Sequence, residues 1–406
     1  MGFKTKVWRL HRCRWGRWVL SLVVIAVVFL LGFNFGDGNL SVAFPWDNKP
    51  LTGLPAALDY SSVNQVYQAL KDNYDGHLTE TELLNGLKEG LAAAPGDPYT
   101  EYFTPSQAKA FNNELNNTFS GIGAELSQDS SGDIEIIAPI AGTPAASAGL
   151  QPQDIITAIN GVSTSGMNVD TAVNDIRGPA GTKVVLTILR NNTQTLNLTI
   201  IRKNITVPSV TTKILPGNIG YMSISTFADD TTSLAQKAAN QFVGDHVKGI
   251  ILDLRDDPGG LLSAAVNVSS LWVEPNQMIL QEKRGSTVVQ TYYAEGGDVL
   301  HGIPTVVLIN GGSASASEIT TGALHDNHDA YVIGEKSFGK GVVQQLINFK
   351  DGSQLKVTVA SWYRPDGQDI EHKGIIPDEK VADKGTDLQA SNDPQLLAAQ
   401  SYLAKH

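Results

Sequence analysis

The chain has 406 residues, of which 42% are hydrophobic and 17% are charged, and it contains one cysteine. This apolar fraction excludes a largely disordered chain, and at roughly 100–200 residues per domain the length predicts two or three domains. A single cysteine cannot form an internal disulfide or a cysteine-rich zinc site. The net charge of −11 argues against general nucleic-acid binding, which requires clustered cations facing phosphates.

Positive charge is concentrated at the amino terminus. Residues 37–406 carry a net charge of −17, whereas residues 1–36 contain no acidic residue and six basic ones, Lys4, Lys6, Arg9, Arg12, Arg14 and Arg17. The uncharged run 18–35 is long enough to cross the hydrocarbon core of a bilayer. Because basic residues flank the cytoplasmic side of membrane spans, residues 1–36 predict a cytoplasmic tail and a single-pass transmembrane anchor, with the body outside the cytoplasm. A cleaved signal peptide is the alternative, although no clean A-x-A site follows the run.

Two regions with different patterns follow the anchor. Residues 37–56 are rich in Gly, Pro and Asn and predict a linker. Residues 57–118 have the periodicity of helices, with Val63, Val66 and Leu70 on one face, and Thr104 is expected to cap a helix that has a proline at its first turn. The region predicts a helical packing unit, with dimerisation as an alternative role.

Residues 119–205 change to short β-branched runs separated by turns, with one helical stretch at 168–177. The pattern predicts a small barrel-like β domain that contains a helix. It opens with FSGIGAEL, where successive N–H groups in a glycine turn can form a concavity for a carboxylate. An exposed strand edge beside that turn could accept an extended peptide, although a simple turn explains a lone Gly-x-Gly equally well.

From residue 206 to residue 385, apolar strands alternate with helices, which predicts an α/β core. The predicted core strands are IGYMSIS, GIILDLR, TVVLIN, AYVIGE and QLKVTVASW. Residues 386–406 end in a helix that Asp393 is expected to cap. The predicted fold class is therefore α+β multidomain: a transmembrane helix, a helical segment, a small β domain and an α/β core.

The densest chemistry lies at residues 305–345. A strand ending at Asn310 leads through two glycines into the small-residue turn 313–317, and Glu318 then opens a helix. A serine at a helix N-terminus meets free N–H groups and a dipole that favours an oxyanion, although helix capping explains such a serine as well. His325 and His328 have no evident partner, and no G-x-S-x-G motif is present, so a Ser-His hydrolase has weak support.

Lys340 is the alternative base for such a serine. It lies between glycines with apolar residues nearby, and burial can depress a lysine pKa by up to roughly 3–5 units. If this segment is extended, Gln344 points the same way and can hold the amine by its carbonyl oxygen. A solvated lysine in a glycine-rich hairpin remains the alternative. A phosphate loop is not expected, because Gly341 stands where that motif requires Ser or Thr.

A second candidate site is ILDLRDDPGG, a buried strand that ends in a Pro-Gly-Gly turn. Glycines let a backbone N–H approach a substrate carbonyl, as an oxyanion hole requires. The aspartates at 253, 256 and 257 also suggest a carboxylate metal site, but Arg255 lies among them and favours an ion pair.

In this order and spacing, these segments resemble the tail-specific (carboxyl-terminal processing) serine peptidases over roughly residues 60–385. The resemblance rests on PYTEYFTP, FSGIGAEL, IRGPAGT, ILDLRDDPGG, GSASASEITTGAL, FGKGVVQ and GIIPD. It implies a PDZ domain at 119–205 inserted before an α/β peptidase core, a serine–lysine dyad that cleaves proteins near their carboxyl termini, and no metal or other cofactor.

The resemblance also implies roles for individual residues. Ser315 would be the nucleophile, Lys340 the base and Gln344 the residue that orients the lysine. The oxyanion donors would be the backbone N–H groups of Gly260 and Ala316. The carboxylate loop of the PDZ domain would consist of Gly121, Ile122, Gly123 and Ala124.

Two further features are the end of the PDZ helix and the acidic pair of the Pro-Gly-Gly turn. Arg177, at the end of the PDZ helix, is either a coupling residue or a solvated helix-end cation. Asp256 and Asp257 stand where the family pattern more often has asparagines, and an acidic pair there is expected to raise the pKa of the lysine and lower activity at neutral pH.

The implied partners are proteins or peptides with free apolar carboxyl termini, the membrane through the N-terminal helix, and a second copy of the chain; no nucleic acid is expected. The expected location is the cell membrane, with the catalytic body outside the cytoplasm. The competing hypothesis is a non-catalytic scaffold whose PDZ domain binds protein tails while the peptidase core is inactive.

Overall fold

The computed structural model describes residues 58–129, 131–382 and 393–406. The predicted tail, anchor and linker lie outside these residues. Among the residues described, no helix is both long enough and apolar enough to span a bilayer. The chain divides into two compact units with the boundary after Thr79. The first contains helix α1 (Tyr60–Asn73), whose N-cap Asp59 accepts a hydrogen bond from the N–H of Ser61.

The second unit contains the other elements. Its helices are α2 (Glu80–Ala93), α3 (Pro105–Leu115), α4 (Pro144–Ser147), α5 (Val169–Ile176), α6 (Thr231–Gly244), α7 (Leu262–Ser269), α8 (Ala316–Asp326) and α9 (Pro394–Leu403). Its strands are β1 (Glu101–Phe103), β2 (Thr118–Gly121), β3 (Ala124–Gln128), β4 (Ile134–Pro139), β5 (Ile155–Ile159), β6 (Val162–Ser163), β7 (Lys183–Arg190), β8 (Gln194–Ile201), β9 (Lys203–Thr206), β10 (Val210–Leu215), β11 (Ile219–Ile224), β12 (Gly249–Asp253), β13 (Met278–Arg284), β14 (Thr287–Tyr293), β15 (Thr305–Ile309), β16 (Tyr331–Gly334), β17 (Val342–Asn348), β18 (Gln354–Tyr363) and β19 (Glu379–Lys380).

Two helix starts follow the predicted caps. Thr104 forms a capping box with Gln107 at the start of α3, and the Asp393 carboxylate accepts from the N–H groups of Gln395 and Leu396 at the start of α9. Both helices have proline at their first turn, where its missing N–H costs nothing because that group would have no intrahelical acceptor.

The small β domain has its own sheet and its own core. The sheet order is β3-β4-β5-β7-β8, with β6 paired to β5, while β2 and β9 form a separate two-stranded sheet. Its core is built of buried aliphatic side chains, among them Ile134, Ile156 and Leu186, and α5 contributes Ala172 and Ile176. Strand β3 forms an edge of the sheet, beside the glycine turn that precedes it.

The core sheet runs in the order β10-β11-β12-β15-β16-β19, parallel throughout except for the antiparallel pair β10–β11. Successive residues of β12 and β15 enter opposite hydrophobic cores, because neighbouring side chains of a strand point to opposite faces. Ile250 and Val307 join the core that contains α6, α7 and α8, whereas Ile251 and Val306 join the core that contains α9. The sheet is therefore covered on both faces, which explains why its central strands are continuous apolar runs.

The segment QLKVTVASW was predicted as a strand of the core region, and it forms strand β18. It does not join the parallel sheet, however, but lies in a separate antiparallel sheet of order β1-β18-β13-β14, with β17 also paired to β18. The segment 101–103, which lies within the region predicted to be helical, pairs with residues 354–356 as strand β1. This second sheet is relevant to the site because Gln344 lies in β17 and Lys340 lies in the loop just before that strand.

Candidate active site

The candidate site lies where two loops leave neighbouring parallel strands. The loop after β12 contains the Pro-Gly-Gly turn, and the loop after β15 contains Ser315; both start at the carboxyl edge of the sheet, where α/β folds bind ligands. Hydrogen bonds join the loops: the Ser313 hydroxyl donates to the Leu254 carbonyl at 2.7 Å, and the N–H of Ala314 donates to the Asp257 carbonyl at 3.0 Å. The two turns are therefore held as one structure.

Ser315 is the N-cap of α8 and has an unusual backbone conformation. Its φ is +54° and its ψ is −112°, outside the regions that residues other than glycine usually adopt. Such strain costs of order 1–3 kcal/mol, and it persists only where the surroundings enforce it, most often at functional sites. The flanking Ala314 and Ala316 are buried.

The glycine turn packs directly against the serine turn. Gly259 has a φ of +97°, and a Cβ on it would lie 2.8 Å from both the Ser315 Cβ and the Ala316 nitrogen. A Cβ on Gly260 would lie 2.3 Å from the Phe227 carbonyl oxygen, so neither position admits a side chain. Within the described ranges, the N–H groups of Gly260 and Ala316 have no hydrogen-bond acceptor. Both donors are thus free for a substrate oxygen.

Lys340 and Gln344 form a hydrogen-bonded pair. The Lys340 Nζ donates to the Gln344 Oε1 at 2.9 Å, and the Gln344 Nε2 donates to the Tyr99 carbonyl at 2.6 Å, which fixes the direction of the amide. Lys340 precedes β17, which begins at Val342, so alternation within that strand does not by itself explain this contact. Tyr99, which sequence reasoning did not single out, also places its ring 5.2 Å below the amine.

The environment of Lys340 favours the neutral amine. Burial lowers the pKa of Lys340, and the Lys356 ammonium adds to this effect, while Glu371 and Glu318 oppose it. The opposing carboxylates are therefore not the pair Asp256–Asp257, so the expectation that this acidic pair raises the lysine pKa has no support in the structure.

Glu318 connects the nucleophile turn to the lysine turn. Its fully buried carboxylate accepts hydrogen bonds from the N–H of Ser315 at 2.9 Å, of Gly339 at 2.7 Å and of Lys340 at 3.0 Å, and from the Ser337 hydroxyl. Burial raises the pKa of Glu318, and these four donors oppose that effect. Sequence reasoning treated Glu318 only as the start of a helix; the S-x-x-E spacing of a capping box was the available signal.

Ser315, Lys340, Gln344, Gly260 and Ala316 all line one cavity of about 470 Å³. Apolar side chains form much of its remaining wall, including Leu261, Ile319 and Trp362. The structure therefore brings together every residue predicted for catalysis. In the part of the chain that it describes, no hydrogen bond joins Lys340 to Ser315, because the amine is turned towards Gln344.

The two histidines do not line this cavity. His325 lies near the other end of α8, about 15 Å from Ser315 at a rise of 1.5 Å per residue. Its ring nitrogens contact Asp326 and Asp378, which places it in an ion-pair network with Arg364. His328 follows α8 in a left-handed turn. Neither position supports a serine–histidine pair.

The aspartates after β12 are engaged with protein groups. Arg255 pairs with Asp253 at 2.5 Å and with Asp393 at 2.8 Å, so the predicted ion pair is confirmed. Asp256 accepts from the Asn310 side chain at 2.9 Å. Among the described residues, no group of three or more His, Cys, Asp or Glu side chains could hold a metal ion.

The small β domain contains the predicted carboxylate loop in a groove of about 120 Å³, lined by Phe119, Gly121, Ile122, Gly123, Ala124, Leu126, Val173, Ile176 and Arg177. Gly123 has a φ of +78°, and a Cβ there would lie 2.5 Å from the Thr143 side chain. In the ranges that the structure covers, the N–H groups of Ile122 and Gly123 have no acceptor. Arg177 is exposed at the end of α5 and lies 5.4 Å above the Phe119 ring.

A covered α/β sheet with a strained serine, two free backbone donors and a half-buried lysine at its carboxyl edge defines a serine hydrolase, here combined with a separate small β domain.

Comparison with known proteins identifies both parts. The model of peptidase family S41 matches residues 218–381, and a PDZ domain model matches residues 135–190. The carboxy-terminal processing protease CtpA of Bacillus subtilis (strain 168) is 39% identical over 324 residues, covering 79% of this chain and 69% of the relative. A CtpA-like serine protease of Staphylococcus aureus (strain MRSA252) is 36% identical over 381 residues, covering 92% and 74%. A solved structure from Bacteroides fragilis NCTC 9343, assigned to the S41 proteases, is 18% identical and covers 73% of this chain and 87% of that chain. Its TM-score of 0.51 supports the fold. The chain therefore belongs to the carboxy-terminal processing serine peptidases of family S41, and it contains a PDZ domain.

Proposed function

We propose that the protein is a membrane-anchored endopeptidase that cleaves proteins near their carboxyl termini with a Ser315–Lys340 dyad. The observation that carries this proposal is the shared cavity, which brings a strained serine, a half-buried lysine of lowered pKa and two free backbone donors together. An inactive scaffold would have no need to maintain that combination.

In the proposed reaction, the neutral Lys340 amine continues to donate one hydrogen bond to the Gln344 carbonyl oxygen. Its lone pair accepts the proton of the Ser315 hydroxyl. The serine oxygen attacks the scissile carbonyl carbon, and the carbonyl electron pair moves onto its oxygen, which the N–H groups of Gly260 and Ala316 stabilise. The lysine ammonium then protonates the leaving amine as the C–N bond breaks. Water hydrolyses the resulting ester by the same steps, and the lysine returns to its starting state. Since the amine contacts Gln344 here, substrate binding has to bring it closer to Ser315.

The PDZ groove is proposed to bind the carboxyl end of the substrate. Its free N–H groups at Ile122 and Gly123 suit a carboxylate, and the unpaired edge of β3 suits an extended peptide added as a further strand. A second copy of the chain remains a proposed partner without a specific contact.

The test uses an unstructured peptide with an apolar carboxyl end, in free-acid and amidated forms. Ser315→Ala and Lys340→Ala are expected to abolish cleavage, whereas Lys373→Ala, which removes an exposed lysine away from the cavity, is the matched control. Amidation should slow cleavage, because it removes the carboxylate that the PDZ groove would bind. Labelling of Ser315 by a serine-directed probe separates an active enzyme from a scaffold. Cleavage that persists in Ser315→Ala or in Lys340→Ala would refute the dyad.

The membrane location rests on the basic, then apolar, amino-terminal sequence. The single cysteine, Cys13, lies on the predicted cytoplasmic side of the span. An impermeant maleimide should therefore label Cys13 only after permeabilisation of cells that express the full chain. In a Cys13→Ser background, Ser131→Cys, at an exposed position of the PDZ domain, should be labelled in intact cells. The reverse pattern would contradict the proposed orientation.

A further inference from the structure

The turn that carries the Gly260 donor contains a buried acid that the proposed mechanism does not use. Asp257 is fully buried, and its Oδ1 accepts a hydrogen bond from the N–H of Gly259 at 2.8 Å. Its Oδ2 is also buried and has no hydrogen-bond partner among the described residues. Half of this carboxyl group is therefore uncompensated.

The same residue joins the glycine turn to the serine turn. The main-chain oxygen of Asp257 accepts from the N–H of Ala314 at 3.0 Å and from the Ser317 hydroxyl at 2.9 Å. Its side chain holds the N–H of Gly259, the residue that packs against Ser315 and precedes Gly260. The main chain of Asp257 therefore holds the two turns together, and its side chain acts on the glycine turn that shapes the oxyanion site.

Among the residues that the structure describes, no cation acts on the Asp257 carboxyl. The Gly259 N–H of its own turn bonds its Oδ1, and the Ser317 hydroxyl of α8, which donates to the Asp257 main-chain oxygen, is the nearby side-chain donor; both are neutral. The nearest basic residue in sequence, Arg255, is occupied by Asp253 and Asp393, and Asp256 is hydrogen-bonded to Asn310. Because burial disfavours a carboxylate that has no cation, it raises the pKa of Asp257 to about 7.

We propose that Asp257 is a titratable positioning residue for the oxyanion site: the neutral acid supports catalysis, and its ionisation suppresses it. The neutral form accepts from Gly259 through Oδ1 and carries its proton on Oδ2, so no charge is left uncompensated at the buried oxygen that has no partner among the described residues. The carboxylate instead places an uncompensated negative charge beside the position at which the substrate oxyanion forms. Like charges in a buried site oppose each other, so the transition state is destabilised.

This inference rests on the proposed function and is tested by the isosteric, non-ionisable variant Asp257→Asn. The ratio of kcat/KM between D257N and the wild type, measured across pH, cancels the titration of Lys340, which both proteins share. The ratio is expected to be near one at about pH 6 and to exceed about tenfold at pH 8, because the neutral fraction of the wild-type acid falls about tenfold per pH unit above its pKa. Asp256→Asn, which removes a neighbouring charge, should give a ratio that does not vary with pH.

A second measurement does not depend on activity. An acid whose pKa is raised by folding binds its proton more tightly in the native state, so wild-type stability should fall as pH rises from about 4 to about 7 and then level off. The urea midpoint of D257N should therefore match the wild type near pH 4 and exceed it above pH 7.

The outcomes separate the two proposals. If Ser315→Ala remains active, the proposed function fails. If Ser315→Ala is inactive but D257N has the wild-type pH dependence in rate and in stability, only the role of Asp257 is overturned. Inactivity of D257N at every pH would also overturn it, because the asparagine reproduces the shape and neutrality of the supporting form.

Discussion

Replacement of Glu318 by glutamine should damage the active site without reaching into the substrate cavity. The two carboxylate oxygens of Glu318 accept hydrogen bonds from different donors. Oε2 accepts from the N–H groups of Ser315 and Lys340, and Oε1 accepts from the N–H of Gly339 and the hydroxyl of Ser337. A glutamine keeps one acceptor oxygen and places an NH2 group where the other stood. In either orientation, two buried donors lose their acceptor and face another donor.

The loss of these hydrogen bonds should lower both the stability and the turnover rate of the E318Q variant. A buried donor left unpaired costs about 1–3 kcal/mol, so two such donors are expected to lower the free energy of unfolding by about 2–6 kcal/mol. The same loss frees the Ser315 and Lys340 backbones to move relative to each other. A misplacement of about 1 Å can cost roughly a hundredfold in rate, and we expect kcat to fall by about that factor.

The pH dependence of activity should also change in E318Q, and simple destabilisation would not produce that change. The negative charge of Glu318 raises the pKa of Lys340, so its removal lowers that pKa further. Because the base has to be neutral, activity rises as pH increases through the lysine pKa, and this acid limb should move to lower pH in E318Q. Urea denaturation and pH–rate profiles measure both effects, with the exposed Glu89→Gln as control. An E318Q variant with the wild-type urea midpoint and acid limb would show that the carboxylate does not join the two turns.

Two further predictions concern single contacts. Gln344→Glu places a carboxylate against the Lys340 amine and removes the donor to the Tyr99 carbonyl. The pKa of Lys340 should therefore rise, and activity near neutral pH should fall by about tenfold or more. A pH–rate profile whose acid limb does not move would contradict this. Gly123→Ala places a side chain on a backbone with a φ of +78° and against Thr143. The dissociation constant for a peptide carboxyl terminus, measured by calorimetry, should therefore rise by about tenfold, while a serine-directed probe still labels Ser315. Unchanged peptide affinity would exclude this loop as the binding site.

The core strands could be predicted because their sequence reflects burial on both faces. Strands β12 and β15 are buried at every position and read as short, continuous apolar runs. The starts of α3 and α9 were also visible, because a cap depends on residues within one helical turn. These features are local, and local patterns were sufficient to find them.

Strand pairing over long distances was not visible in the same way. The three residues of β1 pair with the start of β18, more than 250 positions later in the chain, and nothing within residues 101–103 specifies that partner. The alternation within β18 fits any sheet with one covered face, so its sequence could not decide between the core sheet and the antiparallel one. The family resemblance identified Ser315 and Lys340. The role of Glu318 could not be predicted in the same way, because its carboxylate accepts hydrogen bonds from two loops that lie about twenty residues apart in the chain.

Three buried acids of the core domain differ in how their charge is compensated, and that difference explains why one of them is suited to titrate. Asp253 is paired with Arg255, so a full positive charge faces it. Glu318 has no cation but receives four hydrogen bonds, which oppose the effect of burial on its pKa. Asp257 accepts one hydrogen bond through its side chain, and its second oxygen has none in the described part of the chain. Compensation of a buried carboxylate requires either an opposite charge or several donors, and Asp257 has neither. Its ionisation is therefore the least supported of the three, and it lies in the turn whose neighbouring N–H would receive the oxyanion.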